Sequence, residues 1–159
     1  MQPRAPRHPG RAAILAAAAL TAAAAARAEP SGPAEDFVTV RPDAVAFREG
    51  GSSGLAVAVL AGDPSAPGLY VMRVRFPPGV QSAPHFHDQD RHVTVLEGTW
   101  AFGTDASGDC ARTEPLPAGS FAIHPAGAVH FDGACGDTAT VVEITGLGPV
   151  TTTPVPRTP

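Results

Sequence analysis

The sequence predicts an all-β domain, either a sandwich or a barrel. Short segments of apolar residues, or of alternating apolar and polar residues, follow one another closely along the chain, as is typical of strands. The chain contains 17 glycines and 18 prolines, and many of them fall between these segments, where they favour turns. Beyond residue 28 we find no segment that combines a 3.6-residue apolar period with helix caps. These observations favour strands throughout the domain.

Six segments provide the predicted strands. The clearest is 70–76, where the apolar side chains of Tyr70, Met72, Val74 and Phe76 occupy alternate positions and therefore share one face of a strand. The segment 93–102 predicts two strands that meet at a turn around Gly98. The other predicted strands lie at 37–41, 55–60, 121–124 and 141–145.

The first 28 residues have the organisation of a cleavable signal peptide. Three arginines within the first 11 residues precede an uncharged, alanine-rich run at 12–26, and 26–28 form an A-x-A cleavage sequence. The apolar run is shorter than the roughly 20 residues that cross a bilayer, so we expect cleavage rather than an uncleaved anchor. The predicted product is periplasmic or secreted and has no membrane attachment after cleavage. A flexible leader at 29–36, the domain at 37–150 and a flexible Thr/Pro-rich tail at 151–159 complete the predicted organisation.

The predicted mature chain is strongly acidic. Cleavage after residue 28 removes four of the 11 arginines and none of the 15 acidic residues, which leaves 7 cationic side chains against 15 acidic ones, a net charge of about −8. A chain with this charge and no lysine is a poor partner for nucleic acid or for an anionic membrane surface.

The two cysteines, Cys110 and Cys135, lie in Gly- and Asp-rich segments that read as loops. Export would place them in an oxidising compartment, where a disulfide persists. We therefore expect a Cys110–Cys135 bridge, with two unpaired thiols as the alternative.

Five histidines fall within 46 residues and indicate a metal site or a proton-transfer site. His85 and His87 are separated by one residue, which in a strand puts both rings on one face with their Cα atoms about 7 Å apart. A third imidazole from another strand would complete a set of ligands around one ion.

The spacing around these histidines resembles the two motifs of the cupin superfamily, G-x5-H-x-H-x3–4-E-x6-G and G-x5-P-x-G-x2-H-x3-N. The first is matched by Gly79-x5-His85-x-His87 with a later Gly98, and the second by Gly119-x5-Pro125-x-Gly127-x2-His130. The resemblance covers roughly residues 54 to 150, and the subgroup it indicates consists mostly of uncharacterised bacterial cupin-domain proteins. It implies a single small β-barrel, a jelly roll, in which His85, His87 and His130 bind a divalent transition metal such as Fe, Mn, Ni, Cu or Zn.

The glutamate ligand of the first motif is missing. Counting back from Gly98 over the six-residue gap of the motif places Arg91 at its position. Counting forward from His87 over the longer, four-residue gap places His92 there. The two side chains point to opposite faces of a regular strand, so one of them faces the pocket. An inward His92, which requires a bulge before Val93, would be a fourth ligand, and this is the prediction that we favour. An inward Arg91 would leave three histidine ligands beside a cation suited to an anionic ligand.

Three further residues are candidates for the pocket or for contacts with the metal ligands. His124 is either a partner of the ligands or a histidine in a surface turn. Glu143 is either a fourth ligand or general base, or a glutamate that points outward from a strand. Trp100 is expected in the barrel core and pocket wall.

Metal binding is the predicted function, and three roles are left open, of which the first two bind metal or a small ligand. The first role is a metal-dependent oxygenase or related small-molecule enzyme. The second is a non-catalytic periplasmic protein that binds metal or a small ligand, and the third is a structural protein with a pH-sensitive histidine core. The expected partners are a small-molecule ligand or substrate and, in a homodimer, a second copy of the chain.

Overall fold

The structure, a computed structural model, describes residues 37–50 and 54–159 and is built almost entirely from antiparallel strands. The expected signal peptide at 1–28 and leader at 29–36 lie outside the described residues. Within these residues no helix has the length and apolarity that a membrane crossing requires. Two short 3₁₀ turns occur, at Pro42–Ala44 and Cys110–Arg112.

Eleven strands form within the described part of the chain. They are β1 (Arg48–Glu49), β2 (Ala56–Ala61), β3 (Gly68–Phe76), β4 (His85–His87), β5 (Arg91–Glu97), β6 (Thr99–Gly103), β7 (Glu114–Pro117), β8 (Phe121–His124), β9 (Phe131–Gly133), β10 (Thr140–Gly148) and β11 (Thr152–Pro154).

These strands form three antiparallel sheets. The largest has the order β1-β2-β3-β10-β5-β8, a second has the order β7-β6-β9, and β11 pairs with β4. The core contains the predicted inner face of β3, including Tyr70, Val74 and Phe76, together with Trp100 from β6. The predicted all-β class is therefore confirmed.

The turn between β5 and β6 shows why a glycine stands in the first motif. Gly98 has a φ of +73°, and a Cβ at this position would lie 2.3 Å from the carbonyl oxygen of Ala139. A side chain is excluded both by the left-handed backbone and by this close approach. The hairpin therefore reverses direction at the predicted place.

Two expectations for the ends of the domain are wrong. The segment 37–41 forms no strand, and Phe37 is almost fully exposed, because its alternating pattern finds no neighbouring strand. The tail at 151–159 is not loose: Thr152–Pro154 pairs with His85–His87, and the N–H of Val155 donates to the carbonyl of Pro84. Proline is tolerated there because β11 is an edge strand.

The predicted disulfide is confirmed. Cys110 and Cys135 are bonded, with their Cα atoms 5.8 Å apart. The bond joins the 3₁₀ turn after β6 to the loop after β9, at a distance along the chain of 25 residues.

Candidate metal centre

Two adjacent strands bring three imidazoles together. His85 and His87 lie two residues apart on β4 and share a face. His130 stands directly opposite His85, and each of the two residues donates its N–H to the other's carbonyl at 2.9 Å. Side chains of such a directly opposed pair lie side by side, so the backbone pairing of His85 with His130 places their rings close together.

The turn before His130 holds this register. Pro125 accepts a hydrogen bond from the N–H of Ala128, and Gly127, with a φ of +77°, donates its N–H to the carbonyl of His87 at 2.7 Å. The N–H of Ala126 donates to Asp90 Oδ1 at 2.7 Å. The Pro-x-Gly sequence of the second motif therefore reverses the chain and fixes it against β4, so that His130 returns opposite His85.

Each of the three rings is anchored through Nδ1. The Nδ1 atoms of His85, His87 and His130 lie 2.7, 3.1 and 3.0 Å from the carbonyl oxygens of Ala83, Thr151 and Ala128, respectively. A carbonyl oxygen only accepts, so the proton of each neutral ring belongs on Nδ1 and the lone pair on Nε2. The three rings offer ligand atoms that all lie within 4.8 Å of one another.

The electrostatics of the site favour the neutral form of His87 and His130. Burial, followed by the charge of Arg91, lowers the pKa of His87 from 6.5 to about 3. Burial also lowers the pKa of His130, although the bond to Ala128 opposes this shift. Neutral imidazole is the form that binds metal, so these two rings need not lose a proton before binding at neutral pH.

The residues present fit a divalent transition metal. The Nε2 of His130 is buried and has no hydrogen-bond partner among the described residues. An unsatisfied buried nitrogen is destabilising unless something binds it. Three imidazoles, each held by a main-chain carbonyl, form a donor set that suits Fe, Ni, Cu or Zn.

Arg91, not His92, faces this cluster, so the prediction that His92 is a fourth ligand is wrong. Arg91 shares its face of β5 with the buried Val93 and Val95, and its Nη1 lies 2.6 Å from His87 Nε2. His92 points to the opposite face, is exposed and stacks on the ring of Phe121 at 6.0 Å. No bulge precedes Val93, because β5 pairs with β8 in register from Arg91 to Thr94. The alternation of Val93 and Val95 was the signal in the sequence that predicts an inward Arg91.

His124 lines the pocket, whereas Trp100 lies behind it in the core and is not among the lining residues. His124 lies opposite Arg91 in the β5–β8 ladder, and its ring centroid is 3.9 Å from that of His130 and 5.5 Å from that of Trp100. Burial, followed by the charge of His130, lowers the pKa of His124 to about 2. Neither of its ring nitrogens has a partner among the residues described. His124 therefore lies in the pocket rather than in a surface turn.

Glu143 does not enter the pocket. Its Oε2 accepts a hydrogen bond from Arg73 Nε at 3.0 Å. Its neighbours Val142 and Ile144 are buried, so Glu143 lies on the other face of β10. The expectation that it is a ligand or general base is therefore wrong, and its outward alternative holds.

Several residues of the pocket were not predicted from the sequence. Asp132, two residues after His130 and hence on the same face, is buried and accepts a hydrogen bond from Ser82 Oγ at 2.7 Å. The tail contributes the carbonyl of Thr151 and the side chain of Thr152, whose Oγ1 lies 3.2 Å from His87 Nδ1. The His-x-Asp spacing was a usable signal for Asp132, whereas nothing local in the tail marks its contact with His87.

The pocket has a volume of about 160 Å³ and combines the polar cluster with an apolar wall. Its polar lining consists of Ser82, His85, His87, Arg91, His124, His130, Asp132 and Thr152, and its apolar lining of Leu55, Val57, Met72, Val74, Phe76 and Ile144.

A small antiparallel barrel with inward histidines from adjacent strands defines a protein of the cupin class. The family described as the ChrR cupin-like domain matches residues 35–151, and the chain belongs to this family. No curated protein sequence matches the chain significantly.

Solved structures share the fold. The polyketide cyclase RemF from Streptomyces resistomycificus is 21% identical, with a TM-score of 0.62 over 76% of this chain and 86% of that one. A cupin-superfamily sugar phosphate isomerase from Silicibacter pomeroyi is 22% identical, with a TM-score of 0.61 over 74% and 82% of the two chains. A protein of unknown function with a cupin-like fold from Ralstonia eutropha is 29% identical, with a TM-score of 0.58 over 74% and 70%.

Proposed function

We propose that this protein is an exported metal-binding cupin that acts on a small molecule, with His85, His87 and His130 as the metal ligands. The observation that carries the proposal is the shared anchoring of the three rings. Each Nδ1 is tied to a main-chain carbonyl, which leaves Nε2 as the metal-binding atom of each ring, and the rings offer ligand atoms within 4.8 Å of one another. A histidine core with a purely structural role would need no such shared anchoring. An ion bound to the Nε2 of His87 would replace the hydrogen bond that this atom accepts from Arg91 Nη1.

The chain's own residues prepare the pocket for a ligand. A bound divalent ion would polarise an oxygen of the small molecule and stabilise negative charge that develops on it. His124 lines the pocket and is backed by the ring of Trp100, and six apolar side chains complete the lining. These features suit an oxygenase or a related metal-dependent enzyme. The neighbouring folds support this role, since RemF is described as a polyketide cyclase and the protein from Silicibacter pomeroyi as a sugar phosphate isomerase.

A non-catalytic binding protein is the second candidate. The observation in its favour is the state of Asp132, the carboxylate that lines the pocket, which is already engaged by Ser82. A general base needs a free acceptor within reach of the proton that it removes. Oxygen-consumption assays of the metal-loaded protein with enolic, phenolic and thiol compounds separate the two roles, since turnover supports the enzyme and its absence across the panel supports the binder.

The metal site is tested by elemental analysis of the purified chain and of three variants. We expect wild type to contain close to one divalent ion per chain, and His85→Ala and His130→Ala to lose it. His92→Ala is the matched control, because it removes an imidazole from the opposite face of the barrel wall. Wild-type stoichiometry in both His85→Ala and His130→Ala would refute the proposed site.

Export is part of the proposal. The basic start, apolar run and A-x-A sequence of residues 1–28 support it, and the Cys110–Cys135 disulfide suits an oxidising compartment. Fractionation of the producing cells, followed by N-terminal sequencing, should find a periplasmic or secreted chain that starts at Glu29. A cytoplasmic chain with Met1 intact would contradict this part of the proposal.

A further inference from the structure

Arg91 is a buried cation without an ion-pair partner among the described residues. The residue is 9% exposed, and none of the ion pairs formed within residues 37–50 and 54–159 includes it. A buried charge is destabilising unless it is paired and hydrogen-bonded. The guanidinium of Arg91 is therefore suited to pair with an anion that enters the pocket.

The hydrogen bonds of the guanidinium are also incomplete. Of its five N–H groups, one Nη1 donor contacts His87 Nε2 at 2.6 Å and one Nη2 donor contacts the thioether of Met72 at 3.7 Å. Sulfur is a weak acceptor, and the Nε of Arg91 is buried with no partner among the described residues. The unused donors belong to a planar fork, which matches the two oxygens of a carboxylate.

The charges that line the pocket give Arg91 no direct ion-pair partner. Asp132, the carboxylate among the lining residues, accepts a hydrogen bond from the neutral Ser82 and forms no ion pair with Arg91, and the four lining histidines carry no negative charge. An ion held by the three histidines would add further positive charge beside Arg91. The positive charges of Arg91 and a divalent ion would together exceed the negative charge of Asp132, and an anionic ligand would reduce that excess.

The remaining lining of the pocket is apolar. Val57 from β2, Met72 and Val74 from β3, and Ile144 from β10 face the cluster. The cavity of about 160 Å³ is below the roughly 300–1,000 Å³ that drug-sized ligands occupy. The ligand must therefore be small, with an apolar body beside its charged group.

We propose that the pocket binds a small organic monocarboxylate, with its carboxylate on the guanidinium of Arg91 and its apolar body against Val57, Met72 and Ile144. This inference rests on the proposed function, because it places the carboxylate beside the ion. Arg91 is then the residue that selects charged over neutral ligands at this site.

Ligand-observed NMR titration with butyrate tests the proposal, in both the metal-free and the Zn²⁺-loaded protein. Butyramide serves as the uncharged probe of the same shape. We expect butyrate to bind at least tenfold more tightly than butyramide to the Zn²⁺-loaded wild type. Arg91→Gln should weaken butyrate binding at least tenfold and Arg91→Lys by less, because lysine keeps the charge but not the fork. Arg73→Gln, on the opposite face, is the matched control and should leave butyrate binding unchanged.

The outcomes separate this inference from the metal site. Zinc content is measured on every sample, and thermal unfolding shows that each variant folds. Bound zinc without a preference for butyrate over butyramide overturns the ligand assignment alone, and so does equal butyrate binding by Arg91→Gln and wild type. Inorganic phosphate that binds more tightly than butyrate, in an Arg91-dependent way, also overturns the carboxylate assignment. A wild type without zinc overturns the proposed function, and the metal-free titration then still decides whether Arg91 holds a carboxylate.

Discussion

His92 and His124 lie on neighbouring strands of one sheet but on opposite faces of it. His124 is 2% exposed and packs within 3.9 Å of the ring of His130, whereas His92 is exposed and contacts Phe121. The chemistry of the two side chains is the same, so the difference comes only from the two-residue period of the strands. In this barrel a histidine belongs to the site only if its place in the alternation of the strand turns its side chain to the inner face.

The largest expected effect is on the free energy of unfolding, when an aromatic side chain is truncated on the inner face and, for comparison, on the outer face. Trp100→Ala should lower the free energy of unfolding by about 3–5 kcal/mol, because it leaves a cavity in the core beside His124. Phe121→Ala, at a position that is 58% exposed, should change it by less than about 0.5 kcal/mol. Chemical denaturation measures both values, and similar losses for the two variants would contradict the assignment of faces.

The second comparison contrasts the two ends of the described domain. Deletion of residues 151–159 removes the carbonyl that anchors His87 Nδ1, together with Thr152. Loss of such an outer contact typically weakens metal binding about 10–100-fold. Competition with a chelator measures the affinity, and the substitution Phe37→Ala, at an exposed position of the other end, should not alter it. An affinity that is unchanged after the deletion would show that β11 does not position His87.

The third comparison uses pH on the metal-free protein. The unfolded chain protonates His124 near its ordinary pKa of 6.5, whereas burial holds its pKa in the folded state to about 2. As the pH falls below 6.5, the unfolded state takes up a proton that the folded state does not, so the free energy of unfolding decreases.

His124→Phe should reduce this slope by up to about 1.4 kcal/mol per pH unit between pH 6 and 4. In this range the substitution lowers by one proton the difference in bound protons between the unfolded and the folded state. The control His92→Phe, on the exposed face, should leave the slope as it is in wild type. Urea unfolding at several pH values, in the presence of a chelator, measures the slopes. Equal slopes for His124→Phe and wild type would mean that the ring of His124 is accessible to protons in the folded state.

The smallest effect is expected for the ion pair on the outward face of β3 and β10. Arg73 and Glu143 are both partly exposed, so their bond should contribute no more than about 1 kcal/mol. A double-mutant cycle with Arg73→Gln and Glu143→Gln measures it. A coupling well above 1 kcal/mol would show that this face is less accessible to solvent than the structure indicates.

Local patterns in the sequence were sufficient for much of the fold and for the three histidines. The alternation at 70–76 marks the inner face of β3, and the motif spacing marks His85, His87 and His130, because both are properties of neighbouring residues. The pairing of Thr152–Pro154 with His85–His87 was not predictable, since it joins segments more than 60 residues apart and nothing local marks it. The sequence left open whether Arg91 or His92 faces the pocket, because the two readings differ by a one-residue shift in the register of β5. Such a shift moves every side chain of a strand to the other face.

The most direct test of the central claim is a crystal structure of the metal-loaded protein with anomalous scattering data. We expect one anomalous peak within about 2.0–2.2 Å of the Nε2 atoms of His85, His87 and His130, and none beside His92. A peak at another place, or coordination of these rings through Nδ1, would contradict the account.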